Sequence, residues 1–357
     1  MIKVLGFALY GPLAASTRYR LGQYVPGLAK HGIDLQICHL LGDEYLRQRF
    51  SSGSLPVVTL LQAGLARFAD LWGQHEYALA MLHCELFPLL PGSIERSLIR
   101  IPYVYDFDDA FYLKYRSGRM KLARPLLGNK FDTVIKGAAA VTAGNHVLAQ
   151  YARRYNAATD YLPTVVDANR YLPQLVSRSS HVFTVGWIGS PSTMPYLSAL
   201  VAPLSAIGQE GSVRFIVIGG RAPDIPNVTV VEVEWTENTE VDLINSFDVG
   251  VMPLPNDDWA RGKCAFKLIQ YMACAVPVIA SPVGANADVV SDECGLLAAT
   301  QQEWTDALRV MRDQPIKRTV MGQAGRERVV KHYSLEQNLP KLAKIIHETV
   351  GTSTKNA

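Results

Sequence analysis

The sequence predicts an α/β protein of two domains, each built on a parallel sheet. Three observations carry this reading. The chain has 357 residues, more than one ordinary core accommodates. Short apolar runs of strand length alternate with segments of helical period along its length. A second strand–loop–helix series starts at Val182, after the polar stretch Gln174 to His181, whose Ser177, Arg178, Ser179 and Ser180 read as a linker. Hydrophobic content of 48% and charge of 19% describe a globular chain. No run approaches the roughly 18 apolar residues that span a bilayer, and Met1 to Phe7 enters a strand without a cleavage signal, so a cytoplasmic protein is expected. Five cysteines without metal spacing predict reduced, buried thiols rather than disulfides or zinc.

In order, Ile2 to Leu9 reads as a buried parallel strand, and Tyr10 to Ala15 as a loop in which Gly11 makes a tight turn toward a ligand. Ser16 or Thr17 is expected to cap a helix ending at His31-Gly32, and Asp34 to His39 completes a βαβ opening. The glycine spacing of a dinucleotide fingerprint is missing. Arg18 lies in the first helical turn, where the dipole disfavours a cation unless an anion is present; the alternative is a surface arginine. Residues 44 to 74 carry helical patches interrupted by Gly53, Pro56 and Gly64, without a clear order. Strands follow at Tyr77 to Cys84 and Ile101 to Tyr105. The second leads into Asp106, Asp108 and Asp109 on the ligand side of a parallel sheet; ligand contact, helix capping with loop hydration, and a metal are the readings of this triplet.

Residues 114–136 hold seven Lys and Arg against the single acid Asp132, with leucines interleaved. They predict either a basic amphipathic face on an anionic membrane or a solvated face over a core. Residues 1–180 carry 20 Lys and Arg against 13 Asp and Glu, net +7, and the remaining residues carry 15 against 19, net −4. Nucleic acid explains this poorly, because no binding motif accompanies it; lipid head groups or a phosphorylated acceptor suit it better. Ala138 to Ala143 is a further strand, followed by Asn145 and His146 at a helix start. In the second series, Gly189 and Ser190 open a small-residue loop after the strand Val182 to Ile188 and offer amides to a phosphate. Arg214 to Gly219, Val228 to Val233 and Phe247 to Pro253 are strands, and Trp235 either stacks on a base or plugs its loop. Helices cover about residues 302 to 350, and Gly351 to Ala357 is a frayed tail.

Residues 261 to 281 organise the second half. A polar loop runs through Gly262 into a helix and out to an apolar strand, Val276 to Ala280. Gly262 admits a ligand close to the backbone, and Lys263 and Lys267 share one helical face at i,i+4 spacing. Together with free helix N–H groups this outlines an anion site; the alternative is a solvated basic turn.

Met272 to Ser281, Val283-Gly284, Gly295 to Leu297, and Met321 to Val329 through Tyr333 to Glu336 resemble, in order and spacing, the nucleotide-sugar domain of family 4 retaining glycosyltransferases. Weaker echoes at Pro163 to Asp167 and in the early glycine loop extend the resemblance over most of the chain. It implies the GT-B fold: two Rossmann-like domains facing across a cleft, at 1–173 and 181–335, with residues 336–357 forming a helix that returns to the first domain plus a tail. It implies transfer of a sugar from a UDP- or GDP-sugar to a glycan or lipid-linked acceptor, with no metal cofactor and no protein base; the basic first half and residues 114–136 add the expectation of a place at the inner face of the cell membrane. Two glutamates usual in the family fall at Gly262 and Gln270, and the basic pair usual near the second domain's first loop is missing. The resemblance therefore assigns Lys263, Lys267, Gly262, Gly189 and Ser190 to the diphosphate, Gln270 and Asn286 to ribose or phosphate, and Trp235 to the base. Gly11 and Arg18 would flank the donor. Asp106, Asp108 or Asp109 would meet the transferred sugar or acceptor. An epimerase or hydrolase on the same fold, or a non-catalytic donor-binding scaffold, are the competing readings.

Overall fold

A computed structural model describes residues 1–51, 57–116, 122–174 and 182–353. It divides into two compact units, Met1–Thr164 with Gly262–Cys264 and Leu335–Ala357, and Val165–Arg261 with Ala265–Ser334. Among the described residues no helix is long and apolar enough to cross a membrane.

The first unit is built on β1 (Ile2–Tyr10), β2 (Ile33–Leu41), β3 (Leu79–His83), β4 (Tyr103–Phe107), β5 (Ala140–Ala143) and β6 (Thr159–Tyr161). All pair in parallel, in the order β2-β1-β3-β4-β5-β6. Helices cover both faces of such a sheet, which is why β3, β4 and β5 are buried throughout and read as mostly apolar runs. The chain order turns back between β1 and β3, so the loops after these two strands flank the crevice where ligands of such sheets bind.

Several local expectations change. The helix expected up to His31 is three pieces, Ala15–Arg20, a 3₁₀ turn Gly22–Tyr24 and Val25–Lys30, because Pro26 lacks an N–H and starts a new helix. Neither Ser16 nor Thr17 caps it: Ala14 is at the N-cap, and Thr17 Oγ1 donates to Tyr10 O at 2.8 Å. The unordered stretch folds as helices Asp43–Ser51 and Val57–Gly73, with Gly64 inside the second; Gly53 and Pro56 lie outside the described residues. Pro102 delays β4, which then continues to Phe107 and takes Asp106 into the strand. Of residues 114–136, 117–121 lie outside the described residues. The remainder carry short helices Arg124–Leu127 and Lys130–Gly137.

Helix Leu335–Ser353 closes the first unit. Its Leu339 side chain packs onto Gly27, leaving no room there for a Cβ, and its Lys341 Nζ lies 5.5 Å from the Tyr161 ring centroid. The tail expected from Gly351 is helical to Ser353, and residues 354–357 lie outside the described residues.

The second unit contains β7 (Phe183–Ile188), β8 (Val213–Ile218), β9 (Thr229–Val233), β10 (Val249–Met252), β11 (Val278–Ala280) and β12 (Gly295–Leu297), also parallel, in the order β12-β11-β10-β7-β8-β9. Its turning point lies between β7 and β10. One face buries Leu268, Ile269 and Met272 of helix Phe266–Ala273, and the other Trp304, Leu308 and Met311 of helix Gln301–Asp313. A Thr300–Glu303 capping box starts the latter. β11 begins two residues later than expected, since Pro277 lacks an N–H and Ala275 turns the chain at φ +54°.

The units divide between Thr164 and Val165, earlier than the expected boundary at 173. Val166 bridges Ser334, Tyr171 is buried in the second unit's core, and Asn245 Oδ1 accepts from Gln174 N at 2.9 Å. Of the expected linker, residues 175–181 lie outside the described residues.

Candidate active-site elements

In the first unit the strand ends gather one buried polar network. Asp106, on β4, accepts Arg20 Nε at 3.1 Å, a second bond from Arg20 Nη2, Thr142 Oγ1 at 2.5 Å and His83 Nδ1 at 2.8 Å. Arg20 also donates to Leu162 O at 2.7 Å. Asp106 is 1% exposed. Burial alone would raise its carboxyl, but Arg20 and His83 hold it well below the usual carboxylate range. Arg20, itself buried, is pushed above the usual arginine value, since the pull of Asp106 outweighs desolvation. Asp106 thus has no surface to offer a sugar. Its place is behind His83, whose ring it orients.

His83 is the residue that sequence reasoning missed. Its side chain is 1% exposed, and its Nε2 has no hydrogen-bond partner, lying 3.9 Å from Asp108 Oδ1. With Nδ1 on the Asp106 carboxylate, Nε2 is set to accept from or donate to a bound hydroxyl. A histidine ending an apolar strand beside the Asp106–Asp109 strand was the signal available. His83, Cys84 and Asp108 also bring ligand atoms within 4.8 Å of one another. Burial and nearby carboxylates push the Cys84 thiol well above the usual thiol value in the absence of a cation.

Asp108 and Asp109 lie beyond β4 and keep 17% and 25% of their side-chain surface exposed. Asp109 pairs with Lys263 at 3.3 Å. Burial raises the Asp109 carboxyl, with Asp108 adding to the rise and Lys263 opposing it. Gly262–Cys264 is seated here: Asn145 Nδ2 donates to Gly262 O at 2.8 Å and Lys263 O at 3.0 Å, and Cys264 Sγ donates to Asp108 O at 3.0 Å. A Cβ at Gly262 would meet Ala110. The glycine therefore serves close backbone packing rather than a ligand.

Gly11 and Arg18 also serve the loop itself. A Cβ at Gly11 would strike Asp43, whose carboxylate accepts Leu13 N at 2.8 Å. Arg18 Nη1 donates to Pro12 O and Leu13 O at 2.8 and 2.7 Å. Asn145 caps helix His146–Arg153 through Leu148 N, and His146 packs 4.2 Å from the Tyr161 ring.

In the second unit, helix Phe266–Ala273 starts after Ala265, which takes the N-cap at φ +54°. The expected shared face is thereby corrected: Lys263 precedes the helix and belongs to the first unit, whereas Lys267 occupies the helix's first turn. Lys267 Nζ stands 5.6 Å from the Trp187 ring centroid, and a Cβ at Gly189 would collide with that same ring. Gly189 and Ser190 follow β7 at the turning point, with Ser190 exposed at the N-cap of the next turn. A Cβ at Gly219 would strike Gly189 O and meet the Trp235 side chain, so three loops converge.

Gln270 and Trp235 are tied down from behind. Gln270 is 4% exposed and donates to Tyr171 Oη at 2.9 Å; Tyr171 donates to Glu240, which also accepts Trp235 Nε1 at 2.6 Å. The Gln270 amide N–H thus anchors Tyr171 rather than a ribose. Asn286, in helix Ala285–Val289, donates to Ser281 O at 3.1 Å, while its buried Oδ1 has no partner. Gly284 precedes it at φ +54°, ψ −133°, with its Cα against Arg261 O, a conformation and space that only glycine fits.

Residues 180–313 match the family model described as glycosyl transferases group 1. No curated protein sequence matches the chain. Its fold is similar to that of sucrose-phosphate synthase from Thermosynechococcus elongatus, at TM-score 0.74 and 15% identity over 99% of this chain and 100% of that one. It is also similar to Anabaena HepE in complex with UDP and glucose, at TM-score 0.69 and 14% identity over 97% and 100%. A glycosyltransferase from Rickettsia africae gives TM-score 0.68 and 13% identity over 98% of both chains. The fold is that of the GT-B glycosyltransferases, and the match to the group 1 family model spans the loops and helices that carry Gly189, Ser190, Lys267 and Asn286.

Proposed function

We propose that the protein is a retaining glycosyltransferase that moves a sugar from a UDP- or GDP-sugar to a glycan or lipid-linked acceptor in cell-surface polysaccharide or glycolipid assembly. The observation that carries this reading is the position of Lys267 within the group 1 segment. It is a cation in the first turn of a helix, beside the glycine loop after β7, at the turning point of a parallel sheet. Helix N–H groups and a lysine charge oppose the negative charge that builds on a departing diphosphate. Anabaena HepE, of the same fold, has been crystallised with UDP-glucose.

Gly189 and Ser190 would receive the diphosphate with Lys267, and the orphan Asn286 Oδ1 would accept from a donor hydroxyl. Trp235 would border the base. In the first unit His83, held by Asp106, would meet a sugar hydroxyl, with Asp108, Asp109 and Lys263 beside it. No metal enters this scheme: the leaving phosphate takes the acceptor proton, and the positive groups do the neutralising.

Lys267→Ala should weaken UDP or GDP binding and slow turnover at least about tenfold, the loss of one charge-assisted contact. Turnover should survive EDTA; metal-dependent turnover lost in His83→Ala would instead assign His83, Cys84 and Asp108 to a cation. Release of free sugar or an epimer without acceptor would favour the hydrolase or epimerase reading. Tight nucleotide binding without turnover across acceptors would favour a scaffold.

A further inference from the structure

His83 ends β3 with one ring nitrogen committed and the other bare. Its Nδ1 meets the Asp106 carboxylate at 2.8 Å, which leaves the lone pair of the neutral ring on Nε2. That Nε2 is buried, has no hydrogen-bond partner and stands 3.9 Å from Asp108 Oδ1. A buried polar atom left without a partner costs stability, and the fold has other ways to end a strand.

The next residue brings a second donor. Cys84 turns the chain at φ +66°, a left-handed conformation that residues other than glycine rarely take. Two backbone bonds hold it there: Cys84 N donates to Asp106 O at 3.0 Å, and Tyr105 Oη donates to Cys84 O at 2.8 Å. The turn leaves the thiol with His83 and Asp108, one ligand atom of each lying within 4.8 Å of the others. No other group of three His, Cys, Asp or Glu side chains comes so close among the described residues.

We infer that His83 Nε2, Cys84 Sγ and Asp108 bind a divalent cation of the zinc class. Nitrogen and sulfur donors select a borderline-soft ion over Mg²⁺ or Ca²⁺, which take oxygen. A zinc-binding histidine passes its other N–H to a carboxylate, the part Asp106 already plays. Charge balances as well. Cys84 gives its proton to solvent as the metal–sulfur bond forms, so its thiolate and the Asp108 carboxylate offset the two positive charges. Asp106 is matched by Arg20, and Asp109 by Lys263. Ligand atoms round a tetrahedral zinc stand about 3.4–3.6 Å apart, so each side chain shifts by about 1 Å or less, with water in the fourth position. Asp108, 17% exposed, opens the cluster to solvent.

A cation on Nε2 takes the atom that would meet a sugar hydroxyl, so it blocks transfer rather than serving it. The binding is independent of the glycosyl-transfer reading; the block rests on it.

The test is titration of the full chain, stripped with EDTA, with Co²⁺ as the visible stand-in for zinc. One equivalent should raise a thiolate-to-cobalt charge-transfer band that Zn²⁺ bleaches and excess Mg²⁺ does not. Cys84→Ser should lose the band, and Asp108→Asn should weaken Co²⁺ binding about tenfold or more with the melting temperature in place. Cys38→Ser, at a half-buried thiol elsewhere in the unit, should keep it. Zn²⁺ at about ten times its dissociation constant should slow wild-type sugar transfer about tenfold and leave Cys84→Ser at its own rate in EDTA. A band that survives in Cys84→Ser or vanishes in Cys38→Ser, or undiminished binding by Asp108→Asn, overturns the site. Zinc bound through Cys84 without slowing transfer overturns the block. Absence of transfer with every donor would instead sink the glycosyl-transfer reading and leave the cobalt result standing.

Discussion

Replacing Asp106 with Asn tests the arrangement on which the first unit's site rests. The substitution keeps the shape of the side chain but leaves the Arg20 guanidinium, fully buried, without a counter-charge. Removing one partner of a buried ion pair costs about 3–5 kcal/mol, because the remaining charge stays desolvated. The Thr142 hydroxyl can still donate to the amide oxygen, so the loss falls on the Arg20 and His83 contacts. Hydrogen exchange resolved to peptides covering β4 and β5 reads that loss in the right unit. Each 1.4 kcal/mol is a factor of ten, so exchange limited by opening should speed about 100- to 4,000-fold. Adding Arg20→Met should restore part of the loss, since no unpaired charge then remains. A loss below about 1 kcal/mol for Asp106→Asn, or strictly additive effects with Arg20→Met, would refute the reasoning.

The same pair fixes a pH dependence. Because the folded Asp106 carboxyl sits well below its ordinary value near 3.8, its stabilisation is complete above about pH 5 and fades as pH falls from about 4 downward, and the gap between wild type and Asp106→Asn in acid unfolding should close there. Lys130→Met should cost about 3–5 kcal/mol by thermal or urea unfolding, since it leaves Glu85 and Glu95, both buried, facing each other without their shared cation. Gly284→Ala should cost about 1–3 kcal/mol from the left-handed backbone, plus the clash with Arg261 O, and should reduce nucleotide affinity through Asn286; unchanged melting and binding would show that the loop relaxes freely. His83→Gln, with its orienting carboxylate intact, should lower turnover more than nucleotide affinity, a split that isothermal titration and initial rates separate.

The sequence by itself determined the layer architecture. Predominantly apolar runs at β3, β4, β5 and β7 announce strands buried on both faces, and the restart at Val182 announces the second sheet. The Met272 to Ser281 exit and the later glycine motifs pointed to the group whose family model matches residues 180–313. Prolines explain most boundary errors, since Pro26, Pro102 and Pro277 remove an N–H that periodicity does not register.

Tertiary structure alone decided which of the marked polar side chains are bonded within the fold. Lys263 and Lys267 have helical spacing, but a left-handed residue at Ala265 starts the helix between them, and the Asn145 amide draws Gly262 and Lys263 to the first unit. Asp106 looked like an exposed acid at a strand end, yet Arg20 and Thr142, distant in sequence, enclose it and turn it into the support of His83. Gln270 and Trp235 were likewise claimed by Tyr171 and Glu240. Periodicity reports which side of an element is apolar; partners brought together over long separations decide whether a polar side chain is spent on the fold or left for a ligand.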